Sequence, residues 1–319
     1  MALSPKLVRQ SMIWLVIGIA VVGVMVALSD IDKMRMSLAR FGAIGWATVI
    51  TLSTLNIFLR FGRWQYYLRT LGHHVPAVRS LEYFVAGFAF TSTPAKAGEA
   101  VRSLYLKREG VGYTNSLAAL FVERLTDLIA VVLLALAAAY QLADYRWLVI
   151  LAGAITLAML PLIHSILLRR LLRKLTDHLE PGRIQTAIRH LLNLLKSSAA
   201  LLRSGPLYGG MLLSLLAALA VGLMMYVALL QLGVDIALPL AVGIYATGIL
   251  AGALSFLPGG IGSAEAVMIG LLVLAGVDGT TATAATLVCR IAAMWYSILV
   301  GILIVLRLET RPQISLEES

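Results

Sequence analysis

The stretch FTSTPAKAGEAVRSLYLKREG, residues 90–110, interrupts an apolar part of the chain with a proline and several charges. Pro94 cannot continue a regular helix because its ring removes the backbone N–H that the helix would use. The charged residues Lys96, Glu99 and Arg102 lie shortly after this proline. Three charges beside a helix break are costly in a membrane, so this pattern indicates a functional or structural feature and not an ordinary spanning helix that has acquired charges.

A second interrupted stretch contains FLPGGIGSAEAV, residues 256–267. A helix needs about 20 mostly apolar residues to cross a bilayer, and the halves on either side of each break are shorter than that. We therefore predict two re-entrant helical hairpins, over 79–109 and 236–277. Two kinked full spans would have the same pattern. Irregular backbone at membrane depth is tolerated where protein buries it or where it lines a wet cavity.

The rest of the chain is typical of an all-α integral membrane protein. Of its 319 residues, 60% are hydrophobic and only 13% are charged, whereas soluble domains are closer to one quarter charged. We predict a single polytopic membrane domain over 1–319. It would have about six spanning helices in addition to the two hairpins, at about 11–29, 43–62, 114–140, 147–168, 207–231 and 280–306.

The net charge of +10 predicts membrane orientation and not nucleic-acid binding, because the basic residues cluster between the apolar runs. The segment 166–204 alternates leucines or isoleucines with arginines at helical spacing, which predicts cytoplasmic interfacial helices. The connection after the second span holds Arg60, Arg63, Arg69 and Arg79, and we expect it to be cytoplasmic too. Both termini would then face the cytoplasm, in the cell (cytoplasmic) membrane.

The chain also contains an internal repeat. Residues 110–124 align without gaps on residues 276–290, with 7 identical positions of 15, and PAKAGEAV from Pro94 matches PGGIGSAEAV from Pro258. Repeat A would cover 79–140 and repeat B 236–306, each a hairpin followed by a span. Small-residue bias explains part of this likeness, but not proline, glycine, glutamate and arginine in the same order. The predicted orientation makes the copies an inverted-topology repeat, which is typical of transporters with a site near the midplane.

Eight charged residues are predicted to lie within the membrane. The four cations and four anions balance, which predicts a paired polar network. One interpretation is that they are structural salt bridges. The other is that they receive a charged lipid head group, with arginines on phosphate and with the N–H groups of the Pro258, Gly259 and Gly260 turn directed at an anion. The eight residues are Lys96, Glu99, Arg102, Glu123, Arg124, Asp127, Glu265 and Arg290.

The sequence predicts no enzyme chemistry. GIGSAE is not a G-x-S-x-G nucleophile elbow, and there is no G-x-x-x-x-G-K-[ST] loop for ATP. The single cysteine and the scattered histidines do not have the spacing of metal ligands. We expect no catalytic residues, no metal and no cofactor.

These motifs together resemble the flippase-like transmembrane domain family, the membrane region of lysylphosphatidylglycerol synthases and its stand-alone relatives. The motifs are FLRFGRWQYYL at 58–68, PAKAGEAVR at 94–102, VERLTDL at 122–128 and LPGGIGSAEA at 257–266. The resemblance implies re-entrant helices and movement of polar-headed lipids between leaflets. We expect the soluble synthase domain of the fused members to be absent here, so the resemblance does not carry over synthase activity. PAKAG departs from the family's usual Pro-Gly-rich first break, so the resemblance assigns no role to Lys96.

The leading hypothesis is therefore a flippase for an anionic, aminoacylated or glycosylated lipid, with a membrane phospholipid or lipid-linked substrate as its partner. The alternatives are a secondary transporter of a small hydrophilic solute and a non-transporting accessory membrane subunit. The sequence is compatible with a homo-oligomer, and we expect no nucleic-acid partner.

Overall fold

The computed structural model describes residues 31–141, 182–255 and 257–310, together with scattered positions at 9–23, 150–154 and 170–174. Within this part of the chain the secondary structure is helix and turn, without a strand, in agreement with the predicted all-α class. The predicted span 147–168, most of the span 11–29 and the first predicted interfacial helix lie outside the described residues.

Three of the described helices are long and apolar enough to cross a membrane: Leu38–Thr70, Ser204–Gln231 and Gly279–Thr310. Tyr113–Gln141 has 29 residues but carries three charges near its middle. In chain order the described helices are α1 (Ile31–Thr70), α2 (Ala77–Ala86), α3 (Arg102–Lys107), α4 (Tyr113–Gln141), α5 (Arg183–Leu201), α6 (Ser204–Gln231), α7 (Leu238–Leu254), α8 (Ser263–Leu274), α9 (Gly279–Arg290) and α10 (Tyr296–Thr310).

Helix α1 agrees with the predicted span 43–62 at its start but not at its end. Its backbone is non-helical at Gly42, with φ 63° and ψ 176°, so a new helical rod starts where the sequence predicted one. The rod then continues to Thr70, beyond the predicted end. Arg60 and Arg63 suggested a loop, but they are paired inside the protein, and a paired charge does not terminate a helix.

The first predicted hairpin is a helix–break–helix unit. Helix α2 runs into a 3₁₀ turn at Gly87–Phe90, and after the break a 3₁₀ segment at Pro94–Val101 leads into α3. The rings of Tyr83 and Tyr105 stack with centroids 5.5 Å apart, so the two arms lie side by side. The turn requires glycine at position 98, because a Cβ there would lie 2.5 Å from the Cβ of Phe90.

The second predicted hairpin is also a helix–break–helix unit. Helices α7 and α8 pack against each other across a short 3₁₀ turn at Pro258–Gly260. Gly260 has a φ of 64°, which glycine adopts without strain, and a Cβ there would lie 2.8 Å from the Cα of Gly252. The two hairpins are thus observed as folded units, while their re-entry into a bilayer stays a prediction.

Each repeat packs its long helix against the hairpin of the other repeat. Helix α4 of repeat A contacts α7, the first arm of the second hairpin. The continuous rod of repeat B, in which a π-helical turn at Ile291–Trp295 joins α9 to α10, contacts α2 and the Gly87–Phe90 turn of the first hairpin. This reciprocal packing holds the two hairpins together although they are far apart in sequence.

The contact between α10 and the first hairpin is backbone against backbone. A Cβ on Gly301 would lie 2.4 Å from the backbone nitrogen of Ala89 and 2.9 Å from the carbonyl carbon of Phe88. Continuing the repeat alignment, Gly301 corresponds to Ala135, which is buried in the contact between α4 and Ala246 of α7.

Substituting Gly301→Ala should destabilise the protein by about 1–3 kcal/mol, because overpacking against backbone cannot be relieved by a side-chain rotation. The measurement is the thermal unfolding midpoint of detergent-purified protein. Gly270→Ala is the matched control, since Gly270 is an exposed helical glycine with no atom within 4 Å of its Cβ position. An unchanged midpoint for Gly301→Ala would show that this close contact is absent.

Candidate functional site

The first hairpin positions Glu99 and Arg102 just after its break. Thr93 is extended, with φ −77° and ψ 154°, and its hydroxyl oxygen accepts the N–H of Gly98 at 2.7 Å. The hydroxyl of Thr91, which like Thr93 precedes the break, donates to Glu99, which follows it, at 3.1 Å. These bonds close the turn and hold the Glu99 carboxylate beside it.

Helix α4 supplies three charged side chains to the same place. Arg102 pairs with Glu123, and Arg124 pairs with Glu99, so two ion pairs join the hairpin to α4. Arg124 also lies 3.7 Å from Asp127, its neighbour one helical turn along, as the i,i+3 spacing predicted.

Helix α1 adds two arginines that the sequence analysis placed in a cytoplasmic connection. Arg63 is fully buried and lies 2.5 Å from Asp127 and 3.8 Å from Glu123, while Arg60 lies 3.6 Å from Asp127. The expectation that these two arginines lie in a loop is therefore wrong. The position of these arginines next to an apolar run is typical of charges that set membrane orientation. In the structure they are instead part of the interior, and the neighbouring Trp64 and Tyr67 are also fully buried.

Aromatic rings also pack against two of these arginines, Arg102 and Arg60. The guanidinium of Arg102 lies 4.0 Å from the centre of the Trp64 ring and 5.2 Å from that of Phe84. Arg60 lies 5.3 Å from the centre of Phe88. Such cation–π contacts stabilise a desolvated guanidinium by about 0.5–2 kcal/mol each.

A second, smaller ionic site lies in repeat B. Arg290 donates through Nε to Glu265 at 2.6 Å and through Nη2 to the carbonyl oxygen of Gly259 at 2.9 Å. Glu265 also accepts the N–H of Gly262 at 2.8 Å, which caps the start of α8. The turn at Pro258, Gly259 and Gly260 thus presents a carbonyl oxygen to a cation, and the N–H of Gly262 meets the carboxylate of Glu265.

Each of the two sites contains an equivalent ion pair, between a glutamate after the hairpin break and an arginine 25 residues later. Glu99 and Arg124 form it in repeat A, and Glu265 and Arg290 form it in repeat B. This is an independent structural match between the copies that the sequence aligned. The positions of Glu123 and Asp127, however, are Cys289 and Ala293 in the second copy.

The described members of the predicted paired polar network are paired, and they lie in two sites. At the first hairpin, repeat A and α1 together contribute four arginines and three carboxylates among the described side chains, and repeat B contributes one of each at the second. We call the first set the repeat A cluster; it consists of Arg60, Arg63, Glu99, Arg102, Glu123, Arg124 and Asp127. The side chain of Lys96 lies outside the described residues, so its predicted role stays a prediction.

The two sites are close to each other because the hairpin turns meet. The 3₁₀ segment Pro94–Val101 contacts the turn Pro258–Gly260. Most of the repeat A cluster is deeply buried, but the side chains of Arg124, Asp127 and Arg60 are 27%, 26% and 15% exposed. These three residues form what we call the exposed edge of the cluster.

The chemistry that this arrangement provides is ionic recognition. Guanidinium groups bind carboxylate and phosphate oxygens through paired N–H donors. Among the described residues, no three His, Cys, Asp or Glu side chains converge in a way that could hold a metal ion. The prediction that the protein needs no metal stays a prediction.

These features define a class of protein: an α-helical membrane protein in which two interrupted hairpins meet at buried arginine–carboxylate sites. The family model of the lysylphosphatidylglycerol synthase transmembrane region matches residues 15–301, and the chain belongs to that family. It is also similar to a UPF0104 membrane protein of Methanothermobacter thermautotrophicus, with 33% identity over 133 residues. That match covers 42% of this chain and 39% of the relative's length.

Removing Arg290 should destabilise the protein by about 3–5 kcal/mol, because Glu265 would remain as a buried carboxylate without a cation. The double variant Glu265→Gln/Arg290→Gln should unfold at a higher temperature than Arg290→Gln alone. Thermal unfolding in detergent measures both. Arg79→Gln serves as the control, since its pair with Glu109 is largely exposed and should contribute at most about 1 kcal/mol. If the single and double variants have the same unfolding temperature, Glu265 and Arg290 are not energetically coupled.

Proposed function

We propose that this protein is a lipid translocase that moves a polar-headed lipid between membrane leaflets. The lipid would be anionic, aminoacylated or glycosylated, and a membrane phospholipid or lipid-linked molecule is its partner. The observation that carries the proposal is the repeat A cluster, in which four arginines and three carboxylates are packed between apolar helices and part of the set is exposed.

The free-energy cost of burying these charges favours a role for them beyond stabilising the fold. Each charged residue at the centre of a membrane helix costs about 2.5–3.5 kcal/mol, and buried pairs return little of that cost as stability. A polar path along which a head group travels needs such groups, while the acyl chains remain in lipid. Membership of a family named after a synthase of a phospholipid supports a lipid substrate.

In this proposal the hairpins enter the bilayer from opposite faces as an inverted repeat, with both termini in the cytoplasm. The contact between the hairpin turns supports this arrangement, since such a site belongs near the midplane between the repeats. The head group would pass the exposed edge formed by Arg60, Arg124 and Asp127. We propose no chemical conversion of the lipid.

Reconstitution into liposomes with fluorescent acyl-labelled lipids tests the proposal, with the fraction open to an external quencher as the readout. Wild-type protein should move at least one anionic, aminoacylated or glycosylated lipid. Arg124→Gln should slow that movement at least about tenfold, because a charge-assisted hydrogen bond contributes about 1.5–3 kcal/mol. The exposed Arg79→Gln should move lipid at the wild-type rate.

Three outcomes separate this proposal from the alternatives. Failure to move any of these lipids would overturn it. Uptake of a small hydrophilic solute without lipid movement would indicate a secondary transporter. Loss of folded protein in Arg124→Gln, with no lipid movement by the wild type, would indicate a structural subunit.

A further inference from the structure

The two repeats differ in charge although they share an ion pair. Among the described side chains, the repeat A cluster has four arginines for three carboxylates, while Arg290 and Glu265 balance each other. Among these described side chains, the arginines therefore outnumber the carboxylates by one. A buried surplus charge is costly, and a bound anion offsets it.

The arginines of the cluster also have hydrogen-bonding capacity that their partners do not use. The Nε atoms of Arg60, Arg63 and Arg102 and the Nη2 of Arg63 are buried and make no hydrogen bond to the described residues. Arg63 and Arg102 are almost completely buried. Unsatisfied guanidinium donors of this kind are suited to an anion with several acceptor oxygens, although Arg63 Nη2 also lies 3.8 Å from the carboxylate of Glu123.

Asp127 differs from the other two carboxylates of the cluster. Glu99 and Glu123 are buried inside it, whereas the Asp127 side chain is about one quarter exposed. Its distances to Arg60 and Arg124 are 3.6 and 3.7 Å, which are longer than a hydrogen bond, and only Arg63 holds it closely. Two of its three ion pairs are therefore easy to replace.

We propose that Asp127 is an exchangeable internal counter-ion that occupies the place of a phosphate group between Arg60 and Arg124. A phosphate anion, either in a lipid head group or free in solution, displaces the carboxylate from these two arginines. The lipid source rests on the proposed function, but the exchange itself does not. A phosphodiester carries one negative charge, which equals the surplus of the cluster.

Repeat B provides an internal comparison. The position aligned with Asp127 is Ala293, and Arg290 is closed off by Glu265 and by the carbonyl of Gly259. Arg124 has the equivalent close partner, Glu99, and in addition the looser partner Asp127, for which Arg290 has no counterpart. Phosphate recognition is accordingly assigned to repeat A alone.

The experiment measures binding to detergent-purified full-length protein by calorimetry. The probes are dihexanoyl phosphatidylglycerol, inorganic phosphate and, as the phosphate-free control, dihexanoylglycerol. Asp127→Asn should bind the phosphate-containing probe about three- to tenfold more tightly, because the competing charge is removed. Arg60→Gln should bind it more weakly by a similar factor. Asp235→Asn, which removes an exposed loop carboxylate, should bind like the wild type.

Binding of the phospholipid alone identifies a lipid head group, and binding of inorganic phosphate as well identifies phosphate from either source. Both results support the exchange if Asp127→Asn strengthens them. Weaker or unchanged binding by Asp127→Asn protein with wild-type unfolding temperature would overturn it, as would equal binding of dihexanoylglycerol. If Asp127→Asn unfolds, Asp127→Glu provides the second test, since a longer side chain should shift affinity without removing the charge. Lipid movement in liposomes without phosphate-dependent binding would overturn this inference and leave the proposed function standing.

Discussion

The structure depends on the need to pair charges that have lost their water. A guanidinium between apolar helices is stable only if a carboxylate or another acceptor reaches it, and each unpaired charge would cost several kcal/mol. The Glu99–Arg124 and Glu265–Arg290 pairs meet this need in the two repeats. Because each pair joins a hairpin to the long helix that follows it, the electrostatic requirement also specifies how these elements pack.

The same requirement explains why the hairpins are broken where they are. In the second hairpin the run of glycines frees backbone groups at the turn, and these groups become partners for the buried charges, whereas in the first the Thr91 hydroxyl donates to Glu99. The Gly259 carbonyl bonds to Arg290, and the Gly262 N–H bonds to Glu265. Immediately after Arg290 the rod widens into a π-helical turn, a feature often found at functional sites. Backbone irregularity and buried charge therefore occur together in both halves of the molecule.

The repeats have diverged around this shared pair. Repeat B has a closed pair, whereas the repeat A cluster adds Arg102, two arginines from α1 and two carboxylates from α4, and part of that enlarged cluster is exposed. In the proposed translocase, the enlarged site would be the place of head-group recognition, and the second site would serve to hold the fold together. Reciprocal packing of each long helix on the other hairpin keeps the two sites adjacent.

The sequence by itself determined the helical membrane class, the two breaks at Pro94 and Pro258 and the family, because hydropathy, proline and glycine act locally. It also indicated the internal repeat, through aligned glutamates and arginines. Only the tertiary structure decided which charges are partners. Arg60 and Arg63 resembled loop cations in the sequence, yet they lie in the cluster because α1 packs beside α4 and α6. Ion pairing between residues more than sixty positions apart depends on helix packing, and no local pattern specifies it.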